Sequence, residues 1–353
     1  MAGRRNRNRR LLKRMSAQLS LLLLGATVLS CTGRNQIPVA VWVSSLSISK
    51  LPFVIAEDQG LYEKYGLAVE FRTGPPPFDG GKQGRAGFWT RAGQRLGIVE
   101  IRPFEIWVQG ATPSVVNSTL APRGRDLISI AATDCVVRSH IVGRHGISKL
   151  EDLRAKRLGV SNFNSTAGFI GRLLAERMGW DPVQDISIMA DSHEVNDLRD
   201  GLVDATVAYE MGYAVLKQEG FPILADTITW NDQIGGNSVL VERTWLTDPA
   251  NREAARRFLM ALAEGVALFH ENHDLTLQVL DDWYGIEDRE FAETVYARGA
   301  WIPREPYPCY EGIRRTMELY DSNEMRRHKP EDFYDDSVVR ELIESGFINK
   351  LYQ

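Results

Sequence analysis

Two short polar runs carry the residue types from which a small-molecule site is built. Ser44, Ser45, Ser47 and Ser49 form one; Ser161, Asn162, Phe163, Asn164, Ser165, Thr166, Ala167 and Gly168 form the other. Each follows an apolar run of strand length and precedes a helical pattern. Main-chain N–H groups at a helix start lack intrahelical partners and favour negative charge, which suits an anionic or strongly polar ligand. The same small side chains also cap helices with no ligand present. Tyr209 and Glu210 end a third apolar run, and a carboxylate beside an aromatic ring suits an amino or heterocyclic group. Trp42, Trp230 and Asn231 complete the candidates. The indoles offer flat walls for a planar ligand, with core packing the alternative for Trp42 inside its strand.

Other chemistries find little support. The chain has no Gly-x-Ser-x-Gly or His-Glu-x-x-His pattern and no clustered cysteines, so no cofactor or metal is expected. His270 and His273 lie three apart on an expected helix, a spacing that reads as a solvated face before it reads as a metal site.

The elements that must hold these residues alternate. Val39 to Val43 reads as a strand, Leu51 to Gly60 as a helix with proline in its first turn and a glycine stop, and Leu67, Val69 and Phe71 as a second strand, giving a βαβ unit. Strands are expected at 98–101, 127–131, 135–142, 157–160, 186–190, 205–209 and 239–242. Helices are expected at 167–178, 195–202, 213–219 and 252–272, the last with Phe258, Leu259, Leu262, Val266 and Phe269 as its apolar stripe. Such alternation implies α/β lobes with largely parallel sheets, and ligands of open α/β sheets sit at the carboxyl ends of the strands. At 353 residues the chain suits two lobes.

The first thirty residues stand apart. Arg4, Arg5, Arg7, Arg9, Arg10, Lys13 and Arg14 precede an apolar run from Leu19 to Leu29, the order of an export signal, and the run is too short for a permanent membrane span. It ends at Val28, Leu29, Ser30, Cys31, similar to a bacterial lipobox, so Cys31 is the expected lipidation site, with simple cleavage the alternative. Removing residues 1–30 leaves 35 of the 42 basic residues against 46 acidic ones, moving the net charge from −4 to −11, which argues against a nucleic-acid partner. Cys135 and Cys309 are then free to pair or to remain as two buried thiols.

The run from Pro52 to Glu70, the stretch from Ile147 to Val160, the step Leu198, Gly201, Val203, Asp204, Ala205, Tyr209, Glu210, and the ending from Lys329 to Leu342 together resemble the SsuA/THI5-like (NMT1) family of periplasmic solute-binding proteins. The likeness covers most of residues 38–345; Met211 and Glu100 depart from the usual pattern. It implies a type II periplasmic binding fold: lobe I from 37–135 and 239–353 with the C-terminal helices, lobe II from 136–238, and hinge crossovers near 132–138 and 236–242. It further implies a monomeric, membrane-anchored periplasmic or cell-surface lipoprotein that hands a small ligand to the permease and ATPase of an ABC importer, with Ser45, Ser165 and Thr166 at ligand-holding positions. The ligand is either a thiamine-pyrimidine-like heterocycle or a sulfonate- or nitrate-type anion. A pyrimidine-synthase-like enzyme and a ligand-sensing lipoprotein without transport are the rival readings.

Overall fold

A computed structural model describes residues 36–74, 81–82, 84, 102–120 and 125–353. The leader, Cys31, Glu100 and the expected strand at 98–101 lie outside the described residues.

Ten described strands form two five-stranded sheets. They are β1 (Ile37–Val43), β2 (Leu67–Thr73), β3 (Ile106–Gly110), β4 (Leu127–Ala132), β5 (His140–Gly143), β6 (Arg157–Gly159), β7 (Ser187–Met189), β8 (Ala205–Ala208), β9 (Ile223–Asp226) and β10 (Asn237–Glu242). One sheet has the order β2-β1-β3-β10-β4 and the other β7-β6-β8-β5-β9. In each, the strand reached by a crossover runs antiparallel to its neighbours: β10 against β3 and β4, β5 against β8 and β9. The chain therefore leaves the first sheet after β4, builds the second, and returns through β10. This is the periplasmic binding protein fold.

The first core forms because β1 points Val39, Val41 and Val43 to one face, where they meet helix α1 (Leu51–Asp58) and the long helix α6 (Pro249–Glu271). Asp248 caps that long helix by accepting the Ala250 N–H at 2.8 Å, with Pro249 at its first position. The two helices pack closely because Gly265 has no side chain: a Cβ there would lie 2.3 Å from the Pro52 carbonyl oxygen. In the second lobe, α3 (Thr166–Met178) buries Phe169, Ile170, Leu173 and Leu174 against β6 and β8. Helices α2 (Ala111–Leu120) and α8 (Tyr310–Leu319) join this second core through Val115, Val116 and Ile313. The C-terminal segment thus serves both lobes.

Three sequence expectations are corrected. The strand expected over 135–142 begins only at His140, because Cys135 forms a disulfide with Cys309, Cα–Cα 5.2 Å, and residues 135–139 are crossover. His270 and His273, expected on one helix, fall on two: α6 ends at Glu271, His270 hydrogen-bonds the Ile302 carbonyl at 2.8 Å, and His273 starts the next helix and meets Glu293 at 2.7 Å. Glu210 does not end a strand but opens helix α5 (Glu210–Gln218). Among the described residues no helix is long and apolar enough to cross a membrane.

Candidate functional site

The carboxyl end of β1 and the N-terminus of α5 face each other between the lobes. On the first lobe, the Ser44–Ser49 turn folds around Lys50, whose ammonium donates to Ser44 Oγ at 2.6 Å and to the Ser45 carbonyl. Thr133 and Asn237 both donate to the Ser49 carbonyl, at 2.6 and 3.3 Å, tying the turn to the crossovers. Lys50 is only 5% exposed. Burial penalises its charged form and pulls its pKa down to about 7, against an opposing pull from Glu210.

On the second lobe, Ser165 is the N-cap of α3: its Oγ accepts the Gly168 N–H at 3.1 Å and donates to the Asn162 carbonyl at 2.6 Å. Asn162 closes an Asx-turn onto the Asn164 N–H at 2.9 Å. Both are spent on shaping the loop. Burial raises the pKa of the Tyr209 hydroxyl, against an opposing pull from the neighbouring Ala167 N–H and Thr166 side chain.

Glu210 is the centre of the arrangement. Loss of solvent raises its carboxyl pKa, while Arg298 and Lys50 from the first lobe and Arg138 from the crossover oppose the rise. Arg138 lies over the Trp301 ring at 4.1 Å and 3.6 Å from Asp134, whose own pKa burial lifts to about 7. Arg298 donates to His140 Nε2 at 3.3 Å and covers the Tyr213 ring at 5.4 Å. Behind Glu210, the half-buried Glu194 carboxyl accepts the Tyr209 N–H at 2.8 Å, and loss of solvent raises its pKa to about 8. Gly212 leaves room for it: a Cβ there would lie 1.9 Å from Glu194 Oε1.

The structure therefore places Ser44, Ser45, Thr166, Tyr209 and Glu210 on the facing ends of the two lobes, with Asn162 and Ser165 shaping the loop before Thr166. It does not bring in the remaining candidates. Trp42 points away from the first core and packs on Phe104, ring centroids 5.6 Å apart. Trp230 lies beneath Arg177 at 5.2 Å, at the far end of α3 from Ser165, and Asn231 is its left-handed cap. Both tryptophans and Asn231 thus serve local packing or turns. Sequence reasoning missed Lys50, Arg138, His140, Glu194 and Arg298. Only Lys50 left a signal, as the one charge in the otherwise apolar and serine stretch between Val43 and Ala56. Among the described residues, no group of three or more His, Cys, Asp or Glu is placed to hold a metal ion.

Comparison with known proteins agrees with this architecture. The NMT1/THI5-like family model matches residues 118–274. No curated protein sequence matches the chain. Among solved structures, the periplasmic nitrate-binding protein NrtA from Synechocystis PCC 6803 superposes with a TM-score of 0.64 at 13% identity, covering 90% of this chain and 91% of that one. The periplasmic aliphatic sulphonate binding protein SsuA from Escherichia coli gives 0.57 at 16%, covering 86% and 91%. The desulfurization enzyme DSZB also shares the fold, with 0.57 at 13%, covering 87% and 99%. At these identities the superpositions speak for the fold alone. Together with the matched segment, they bear out the resemblance read from the sequence: the chain has the periplasmic binding protein fold, and its residues 118–274 are similar to the NMT1/THI5-like family.

Proposed function

We propose that the protein is the extracytoplasmic solute-binding component of an ABC importer, exported by its leader, anchored through Cys31, and monomeric. The observation that carries the reading is the meeting of Glu210 from one lobe with Lys50 and Arg298 from the other. Charges converging from both sides of a gap give a ligand differential affinity for the closed form, which is what couples capture to delivery.

The charge count supports a solute with an anionic head, of sulfonate, nitrate or carboxylate type. Arg138 lies 3.6 Å from Asp134, while Lys50 and Arg298 face the single Glu210, and a bound anion would favour the charged form of Lys50, whose pKa burial brings to about 7. Glu210 would accept from a donor on the same solute. A heterocycle bearing an amino group is the second reading, favoured by that carboxylate beside the Tyr209 ring. The fold alone does not separate binder from enzyme, as DSZB illustrates.

Thermal-shift screening against alkanesulfonates, nitrate, carboxylates and aminopyrimidines tests the ligand, because a solute that binds only the folded form raises its melting temperature. Recovery of the solute chemically unchanged after incubation supports a binder, and turnover refutes one. Stimulation of the cognate permease–ATPase in proteoliposomes by the loaded protein separates transport from sensing.

A further inference from the structure

Both crossovers between the lobes run side by side and are joined to a third segment. The Val137 N–H donates to the Asp232 carbonyl at 3.0 Å, Ile234 N–H to the Cys135 carbonyl at 3.0 Å, and Thr133 N–H to the Asn237 carbonyl at 2.9 Å. The start of α8 is pressed into this pair. A Cβ on Gly312 would lie 1.8 Å from the Ile234 carbonyl oxygen, and one on Gly236, whose φ is +60°, would lie 1.4 Å from the Asp134 oxygen and 3.1 Å from Cys309 Sγ. The Cys135–Cys309 disulfide fastens the three segments together at this point. Helix α8 in turn packs on α2 and α3 and contributes Ile313 to the second core, so the bond ties the hinge to a lobe.

The disulfide is also reachable. A cavity of about 480 Å³ opens over it, lined by both cysteines with Gln233, Tyr307, Pro308 and Glu311. Cys309 is 3% exposed, whereas Cys135 is half-buried, so Cys135 is the more open of the two residues.

We propose that Cys135–Cys309 is a thiol-exchange site that governs the freedom of the hinge. A thiolate of a dithiol reductant attacks the Cys135 sulfur and expels Cys309 as a thiolate, which takes up a proton. The reductant's second thiol then resolves the mixed disulfide, leaving Cys135 as a thiol and the reductant as its own disulfide. Two electrons and two protons pass to the protein. Once the bond is open, α8 no longer holds the crossovers, and they gain local freedom that the lobes do not share.

The test uses the purified protein without solute, so its result does not depend on the solute-capture reading. Hydrogen exchange is compared for the oxidised protein, the protein reduced with dithiothreitol and alkylated, and the Cys135→Ser/Cys309→Ser double variant. Expected are reduction under native conditions and amide exchange faster by about tenfold or more in peptides spanning 132–138 and 231–237, with α6 and α3 unchanged. Refusal to reduce without denaturant, unchanged exchange at the crossovers, or an equal acceleration in the lobe cores would each overturn the proposal. The double variant reads hinge freedom even where alkylation perturbs the fold.

Discussion

Arg298, carried at the end of helix α7 (Arg289–Arg298) in the first lobe, donates to Nε2 of His140, the first residue of β5 in the second, at 3.3 Å. An arginine can only donate, so His140 must be neutral and carry its proton on Nδ1. Burial agrees, pulling the imidazole pKa down to about 4, with Asp226 opposing and Arg298 and Lys217 assisting. The pair joins the two lobes directly. Arg298→Ala removes both this bond and a charge facing Glu210, and is expected to weaken solute affinity at least about tenfold while changing the melting temperature little. Calorimetric titration beside thermal melts checks it; full affinity would remove Arg298 from the site.

The same histidine sets an acid response. An imidazole that is protonated near 6.5 when unfolded but resists protonation until about 4 when folded contributes full stability above pH 6.5 and loses it as pH falls toward 4. His140→Gln keeps an acceptor for Arg298 and does not titrate. Its melting temperature should therefore fall less than wild type between pH 6.5 and 4.5, and parallel curves for the two proteins would contradict the assignment.

Glu194 gives the opposite slope. Its carboxyl stays protonated up to about pH 8 in the fold, so the folded state holds a proton that the unfolded chain releases near 4.5, and stability drains as pH rises through that interval. Glu194→Gln keeps an acceptor for the Tyr209 N–H without the charge. The variant's stability advantage over wild type should grow from pH 5 to pH 8, read by denaturant unfolding; a constant difference would mean that Glu194 does not titrate there.

Lys50 separates stability from function. A buried lysine whose pKa falls to about 7 costs the apo fold free energy, which is tolerated where the ammonium meets a ligand. Lys50→Met should match or exceed wild type in melting temperature yet lose solute binding. Loss of both together would make Lys50 a structural residue.

Ser165 and Thr166, adjacent in sequence, should behave differently. Ser165→Ala removes a helix cap and should cost about 1 kcal/mol of stability with affinity nearly intact, because the hydroxyl is spent on Gly168 and Asn162. Thr166→Ala removes a hydroxyl that neighbours Tyr209 where the lobes meet and should lower affinity more than stability. Paired melts and titrations decide it, and equal effects on both quantities would erase the distinction.

What could be read from the chain was local. The Val39–Val43 run, the proline and glycine that bracket α1, and the stripe from Phe258 to Phe269 each lie within one element, and each declares its partner by periodicity. Strand β3 and helix α2 escaped notice because Pro113 sits in the helix's first turn among Thr112 and Ser114, a cluster that reads as a loop although proline is tolerated there. Strand β9 has four residues, none fully buried, and its apolar run from Ile223 to Ala225 is too short to declare a strand. The polar loops were found as loops because helix starts need small polar residues. Lys50, Glu210 and Arg298 were not found as a set, since they meet only when two lobes separated in sequence face one another. Cys135 and Cys309 are 174 residues apart, and no spacing rule joins them.

Small-angle scattering of the purified protein, before and after saturation with the solute that most raises its melting temperature, tests closure over a captured molecule most directly. The radius of gyration should shrink on binding in wild type and stay unchanged in Lys50→Met. An identical radius with and without bound solute in wild type would contradict capture between two moving lobes.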